Sequence, residues 1–96
     1  MRRRNDSTLA EAMDRLVDAY GLREKLDERQ VASLWDELAG GMVAKHTVAV
    51  KLRKGKLHIK VDSAPLRHEL HYLRDGLRQT VNQRLGREVV QEILLD

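Results

Sequence analysis

The chain has no cysteine, no phenylalanine, a single proline and a single tryptophan among its 96 residues. Without cysteine neither a disulfide framework nor a thiolate zinc site can form, and a reducing, cytoplasmic setting is expected. Aromatic residues are 3% of the chain, so its 42% apolar fraction is aliphatic, with Leu and Val left to fill the core. Such a core suits helices packed on a sheet. No apolar stretch approaches the roughly 20 residues that span a bilayer. Met1, Arg2, Arg3 and Arg4 lead into Asn5, Asp6 and Ser7 rather than an apolar run, so no secretory signal is expected. The chain reads as soluble, with no membrane partner. Its length supports one hydrophobic core. Residues 1–7 are expected to be a basic flexible N-terminus and residues 8–96 a single domain.

Net charge is only +3, but it is unevenly placed. Residues 1–4 carry +3; residues 5–44 hold nine acids against four bases. Residues 45–87 then hold eleven bases against three acids, and the tail from Glu88 adds −3. A basic second half in one compact domain implies a surface for polyanions, while the acidic first half suits a different, cationic partner.

Leu9, Met13, Leu16, Val17 and Tyr20 recur at helical spacing, and Thr8 with Glu11 forms a capping box expected to start this helix, which Gly21 ends. Asp27 with Gln30 announces a second helix carrying Val31, Leu34, Trp35 and Leu38, stopped by Gly40 and Gly41. The period then changes from 3.6 to 2. Val48, Val50 and Leu52 alternate with Thr47, Ala49 and Lys51; after a turn at Arg53, Lys54 and Gly55, Leu57, Ile59 and Val61 alternate with Lys56, His58 and Lys60. This is a β-hairpin with one apolar and one basic face. Asp62, Ser63 and Pro65 open a third helix along Leu66, Leu70, Leu73, Leu77, Val81 and Leu85, ended by Gly86, and Val89 to Leu95 reads as a third strand. The expected fold is therefore α+β in the order α-α-β-β-α-β, a three-stranded sheet with helices packed on one face and the other face open and basic.

No catalytic constellation stands out, and neither a cofactor nor a small-molecule substrate is expected. His68, Glu69, Leu70 and His71 look like a fragment of a zinc-protease motif, but that motif sets its histidines at i and i+4, whereas these are at i and i+3. They read as solvated helix-face histidines, and no metal is expected. His46, between the Gly40–Gly41 break and the first strand, reads as structural. The glycines form neither a phosphate-cradling loop nor a dinucleotide fingerprint.

The basic residues form the better constellation. Lys51, Lys56, His58 and Lys60 share the outward hairpin face, Arg53 and Lys54 sit at its tip, and Arg67, His71, Arg74 and Arg78 form a stripe on the third helix. Such groups neutralise phosphates and release counterions, which gives weak, salt-sensitive, sequence-independent binding to single-stranded or duplex DNA, or to RNA. The sheet lacks the aromatics on which unpaired bases stack. Asp14, Asp18, Asp36 and Glu37 are the candidate contacts for a protein partner.

Trp35, Asp36, Glu37, Leu38, Ala39 and Gly40, followed by Val43, Ala44, Lys45, His46 and Thr47, resemble the signature of the DciA family of bacterial replicative helicase loaders. The likeness continues through Leu57, Ile59, Val61, Asp62, Ser63, Glu69 and Leu70 to Leu85, Gly86, Val89, Val90 and Ile93. Trp35, Gly40, His46, Ser63 and Leu70 are read as its structural positions. The resemblance implies a non-enzymatic adaptor that engages the replicative DNA helicase and helps place it on DNA, with a KH-like fold. The element order agrees with a KH arrangement whose first strand has moved to the chain end. Two departures stand out: Gly21 is followed by Leu22, Arg23 and Glu24 with no second glycine, so the Gly-x-x-Gly phosphate clamp is not expected, and the chain looks like a compact version without a long extension. The competing reading is a general RNA- or DNA-binding KH-like domain with no helicase partner.

Overall fold

A computed structural model describes the backbone of residues 2–96 and the side chains from Thr8 onward. Helix α1 (Arg2–Ala19) is followed by α2 (Arg23–Ala39), a short α3 (Gly41–Lys45), β1 (Thr47–Arg53), β2 (Lys56–Val61), α4 (Ala64–Leu85) and β3 (Glu92–Leu95). The α+β class and the three-stranded sheet are as expected, and the sheet is mixed. β1 pairs antiparallel with the central β2, and β2 pairs parallel with β3.

The hairpin follows directly from local chemistry. Lys54 and Gly55 both have positive φ, 52° and 78°, which is the two-residue turn whose twist matches that of the flanking strands. Leu52 lies opposite Leu57, and Leu57 opposite Ile93, so the apolar side chains share one sheet face. On that face they pack with Val31 and Trp35 of α2, Leu70 and Val81 of α4, and Val90. Ser63 caps α4, its hydroxyl accepting from the Leu66 N–H at 3.3 Å, and Gly86 ends the helix in the left-handed region.

Trp35 is 4% exposed. Its indole N–H donates to the Thr47 hydroxyl at 2.9 Å, and that hydroxyl donates to the Val43 carbonyl at 2.7 Å. One side chain thus ties α2, α3 and β1 together. Gly40, at φ 91° and ψ 156°, turns the chain from α2 into α3, in a region that only glycine enters without strain. His46 holds the open end of the hairpin: its Nδ1 lies 2.9 Å from Asp62 Oδ1, and its carbonyl accepts from the Asp62 N–H.

Five expectations need correction. α1 begins at Arg2, upstream of the Thr8–Glu11 box, because no proline or glycine interrupts residues 2–7; how flexible the side chains of residues 1–7 are lies outside the described residues. α2 begins at Arg23, and Asp27 is not its cap but a buried carboxylate ion-paired with Arg87. Residues 41–45 form a short helix that the expected order α-α-β-β-α-β did not include. β3 starts at Glu92 rather than Val89, because Asn82 holds the preceding segment: its side-chain amide accepts from the N–H groups of Val89 and Val90 and donates to the Val90 carbonyl at 2.8–2.9 Å. Lastly, only α2 and α4 cover the sheet. α1 makes no substantial packing contact with the sheet or α4, and Leu73, placed in the α4 seam by spacing, is exposed.

The shape reflects this. The Cα radius of gyration is 15.7 Å, against about 13 Å for a compact chain of this size. The largest extent of 55 Å compares with 22 and 20 Å for the other two, as expected for a small sandwich from which α1 projects.

Asn82 is buried and was not singled out by its spacing. Asn82→Ala would leave the buried Val90 amide without a partner. A loss of about 2–3 kcal/mol in unfolding stability is expected, read by denaturant titration.

Candidate nucleic-acid interface and partner surfaces

Strand alternation sends Lys51 and Arg53 of β1 and Lys56, His58 and Lys60 of β2 to the face away from α2 and α4. Register sets Lys51 beside His58 and Arg53 beside Lys56. Adjacent strands lie about 4.8 Å apart and alternate residues about 6.6 Å apart along a strand, so these side chains form a grid. Glu92, beside Lys56, is the one acid that β3 adds to this face. Among the described residues no ion pair involves Lys51, Arg53, Lys54, Lys56 or Lys60. Uncommitted cations on a flat, helix-free surface are available to phosphates.

The α4 stripe does not join them. Arg67 is half-buried and spent on structure, its guanidinium donating to the carbonyls of Val61 at 2.8 Å and Asp96 at 3.3 Å. Arg78 bonds Asp75 at 3.0 Å and lies 3.8 Å from Glu88. Arg74 Nε donates to the His71 carbonyl at 3.1 Å, and the two side chains line a shallow groove between α4 and β3. The hairpin face and the helix stripe, expected as two surfaces, lie on opposite sides of the sheet.

The groove between the α1–α2 turn and β1 is occupied chemically. It is lined by Leu22, Glu24, Glu28 and Arg53 among others. Glu28 accepts from the Leu52 N–H at 2.9 Å and Glu24 from the Lys54 N–H at 2.6 Å. Carboxylates therefore take the Leu52 amide of the edge strand and the Lys54 amide of the turn, and no phosphate can use these two. Glu24 and Glu28 carry no motif, and only the folded register makes their role visible.

The four candidate partner acids do not converge either. Asp14 and Asp18 of α1 both bind Arg23, at 3.2 and 3.1 Å. The hydrogen bonds that Arg23 donates to Asp18 and then to Asp14 hold its guanidinium pKa above the ordinary value. Glu37 pairs with Arg84 at 3.1 Å. Asp36 is exposed near the far end of α2, about 20 Å from Arg23 at 1.5 Å per helical residue.

His68 and His71 are both exposed, and the His68 ring meets Tyr72 edge-on at 5.4 Å between centroids. Among the described residues no group of three or more His, Asp or Glu side chains is placed to hold a metal, and no helix is long and apolar enough to cross a membrane.

A curated relative from Corynebacterium glutamicum (strain R), named UPF0232 protein, is 23% identical over 90 residues, which are 94% of this chain and 51% of the relative. The chain thus spans about half the length of that relative. The family described as "Dna[CI] antecedent, DciA" matches residues 8–95, from within α1 to the last residue of β3. The chain belongs to the DciA family.

Proposed function

We propose that this chain is a non-enzymatic adaptor that binds the replicative DNA helicase and assists its loading on DNA, holding nucleic acid weakly through the open sheet face. The observation that carries the reading is a DciA match that runs through every element of the fold. The sheet face supports the DNA contact, because among the described residues its lysines and Arg53 make no ion pair. The expected site is Lys51, Arg53, Lys56 and Lys60, with His58 between them and Lys54 at the tip. The element order supports a KH-like fold with its first strand at the chain end, but the edge groove is taken by Glu24 and Glu28. Nucleic acid would therefore sit on the sheet rather than in a Gly-x-x-Gly cleft.

A pull-down with the organism's own replicative helicase tests the reading. Retention of helicase at micromolar concentration and low salt is expected. No association under those conditions would remove it.

The same uncommitted cations also favour a second reading, a general RNA- or DNA-binding domain without a helicase partner. Titration against single-stranded DNA, duplex DNA and RNA separates the two. Strong RNA preference together with no helicase binding would select the second.

A further inference from the structure

His58 differs in kind from the other groups of the open sheet face. Lysine and arginine keep their charge throughout the neutral range, as carboxylates do, whereas an imidazole changes charge between about pH 5 and 8. Beside Lys51, Arg53, Lys54, Lys56 and Lys60, it is the one group whose charge the solution sets. It is half-buried, and among the described residues its ring makes no hydrogen bond or ion pair. The other histidines are placed otherwise. His46 is bonded to Asp62, and His68 and His71 lie on α4, across the sheet from this face.

Register surrounds the ring with charge. On β1, Lys51 lies directly opposite and Arg53 diagonally. On β2 itself, Lys56 and Lys60 flank it, each about 6.6 Å away along the strand. On β3, Leu94 lies directly opposite and Glu92 diagonally. Asp96, whose N–H donates to the Ile59 carbonyl and whose carbonyl accepts from the Val61 N–H, lies beside Lys60. Neither acid makes an ion pair among the described residues, so the four cations keep their attraction for an anion.

A phosphate shared by Lys51 and either flanking lysine sits over the imidazole, because adjacent strands are only about 4.8 Å apart. A phosphodiester holds its negative charge throughout the neutral range. Negative charge beside an imidazole favours its protonated form, in which both ring nitrogens donate and the hydrogen bond to phosphate is about twice as strong as a neutral one. Binding therefore takes up a proton. Linkage is reciprocal, so a phosphate that favours the proton is itself favoured by it, and affinity rises as pH falls.

We infer that the open sheet face is a proton-linked nucleic-acid site, in which His58 as imidazolium adds a phosphate contact that its neutral form lacks. The inference rests on the proposed DNA contact and adds its regulation by pH.

The test is the affinity of the full chain for an oligothymidylate strand, whose bases do not protonate in this range, at about pH 6 and about pH 8 over a series of salt concentrations. The wild type should bind about fivefold more tightly at the lower pH, the gain of a charge-assisted contact over a neutral one. Its log–log salt slope should steepen there by about 0.7. His58→Gln, which cannot be protonated, should lose both differences. His58→Lys, charged at either pH, should lose the affinity ratio and show the steeper slope throughout. The two variants change the face in opposite senses, so a folding defect in one, seen by melting, leaves the other to decide. His68→Gln/His71→Gln should retain the wild-type ratio. Wild-type affinity equal at the two pH values, or a ratio that survives in His58→Gln, would overturn the inference and leave the sheet-face contact standing. No binding at either pH in low salt would remove that contact and the inference with it.

Discussion

Trp35→Ala is expected to lower the unfolding free energy by about 3–5 kcal/mol, the range for truncating a large buried aromatic. Small domains are stable by about 5–15 kcal/mol, so this one change removes a large share of what holds the fold. Two effects combine. The indole leaves a cavity among Val31, Leu52 and the other core residues, and the Thr47 hydroxyl loses the donor that fixes it between α2 and the Val43 carbonyl. Trp35→Phe separates them: it retains most of the volume and loses the hydrogen bond, so a smaller loss of about 1 kcal/mol is expected. Denaturant titration measures both. A Trp35→Ala protein with wild-type stability would show that the residue does not anchor the core.

Lys56→Glu/Lys60→Glu is expected to weaken DNA binding at least about tenfold for every sequence tested, because phosphate contacts position a protein without reading bases. The log–log dependence of affinity on salt should lose a slope of about one per lysine. Both residues are exposed and, among the described residues, make no ion pair, so stability should change by no more than about 0.5 kcal/mol. Arg67→Gln provides the contrast. Its guanidinium serves two backbone carbonyls, so its loss should appear in stability before it appears in DNA affinity. An unchanged affinity and salt slope in the double reversal would remove the sheet face from the account.

The parts of the fold legible in the sequence are those governed by local pattern. The change of period at Thr47, the Lys54–Gly55 turn and the Ser63–Pro65 start of α4 each follow from a short-range preference, and each lies where expected. What could not be read depends on residues far apart in the chain. Asp27 looks like a helix cap until Arg87, sixty positions on, is seen beside it. Val89 and Val90 have strand character, but Asn82 takes their backbone groups and delays β3 to Glu92. Glu24 and Glu28 read as ordinary helix-surface acids until the β1 edge lies against them.

The candidate site divides in the same way. The hairpin face was legible because period-2 alternation puts Lys51, Lys56, His58 and Lys60 on one side whatever the tertiary structure does. The α4 stripe was less legible because helical spacing says nothing about partners, and Arg67 and Arg78 bond groups of their own fold. Counting acids likewise grouped Asp14 and Asp18 with Asp36 and Glu37, which the fold places at different ends of α2. The amphipathic pattern of α1 was plain, but a pattern cannot tell a core-facing stripe from an unpartnered one.

The most direct measurement of the central claim is the rate at which the replicative helicase assembles on a closed single-stranded DNA circle, followed by unwinding of an annealed fork, with and without this chain. The account predicts a severalfold faster onset of unwinding with the wild type and a smaller gain with Lys56→Glu/Lys60→Glu. An onset unchanged at concentrations that saturate helicase binding would contradict it.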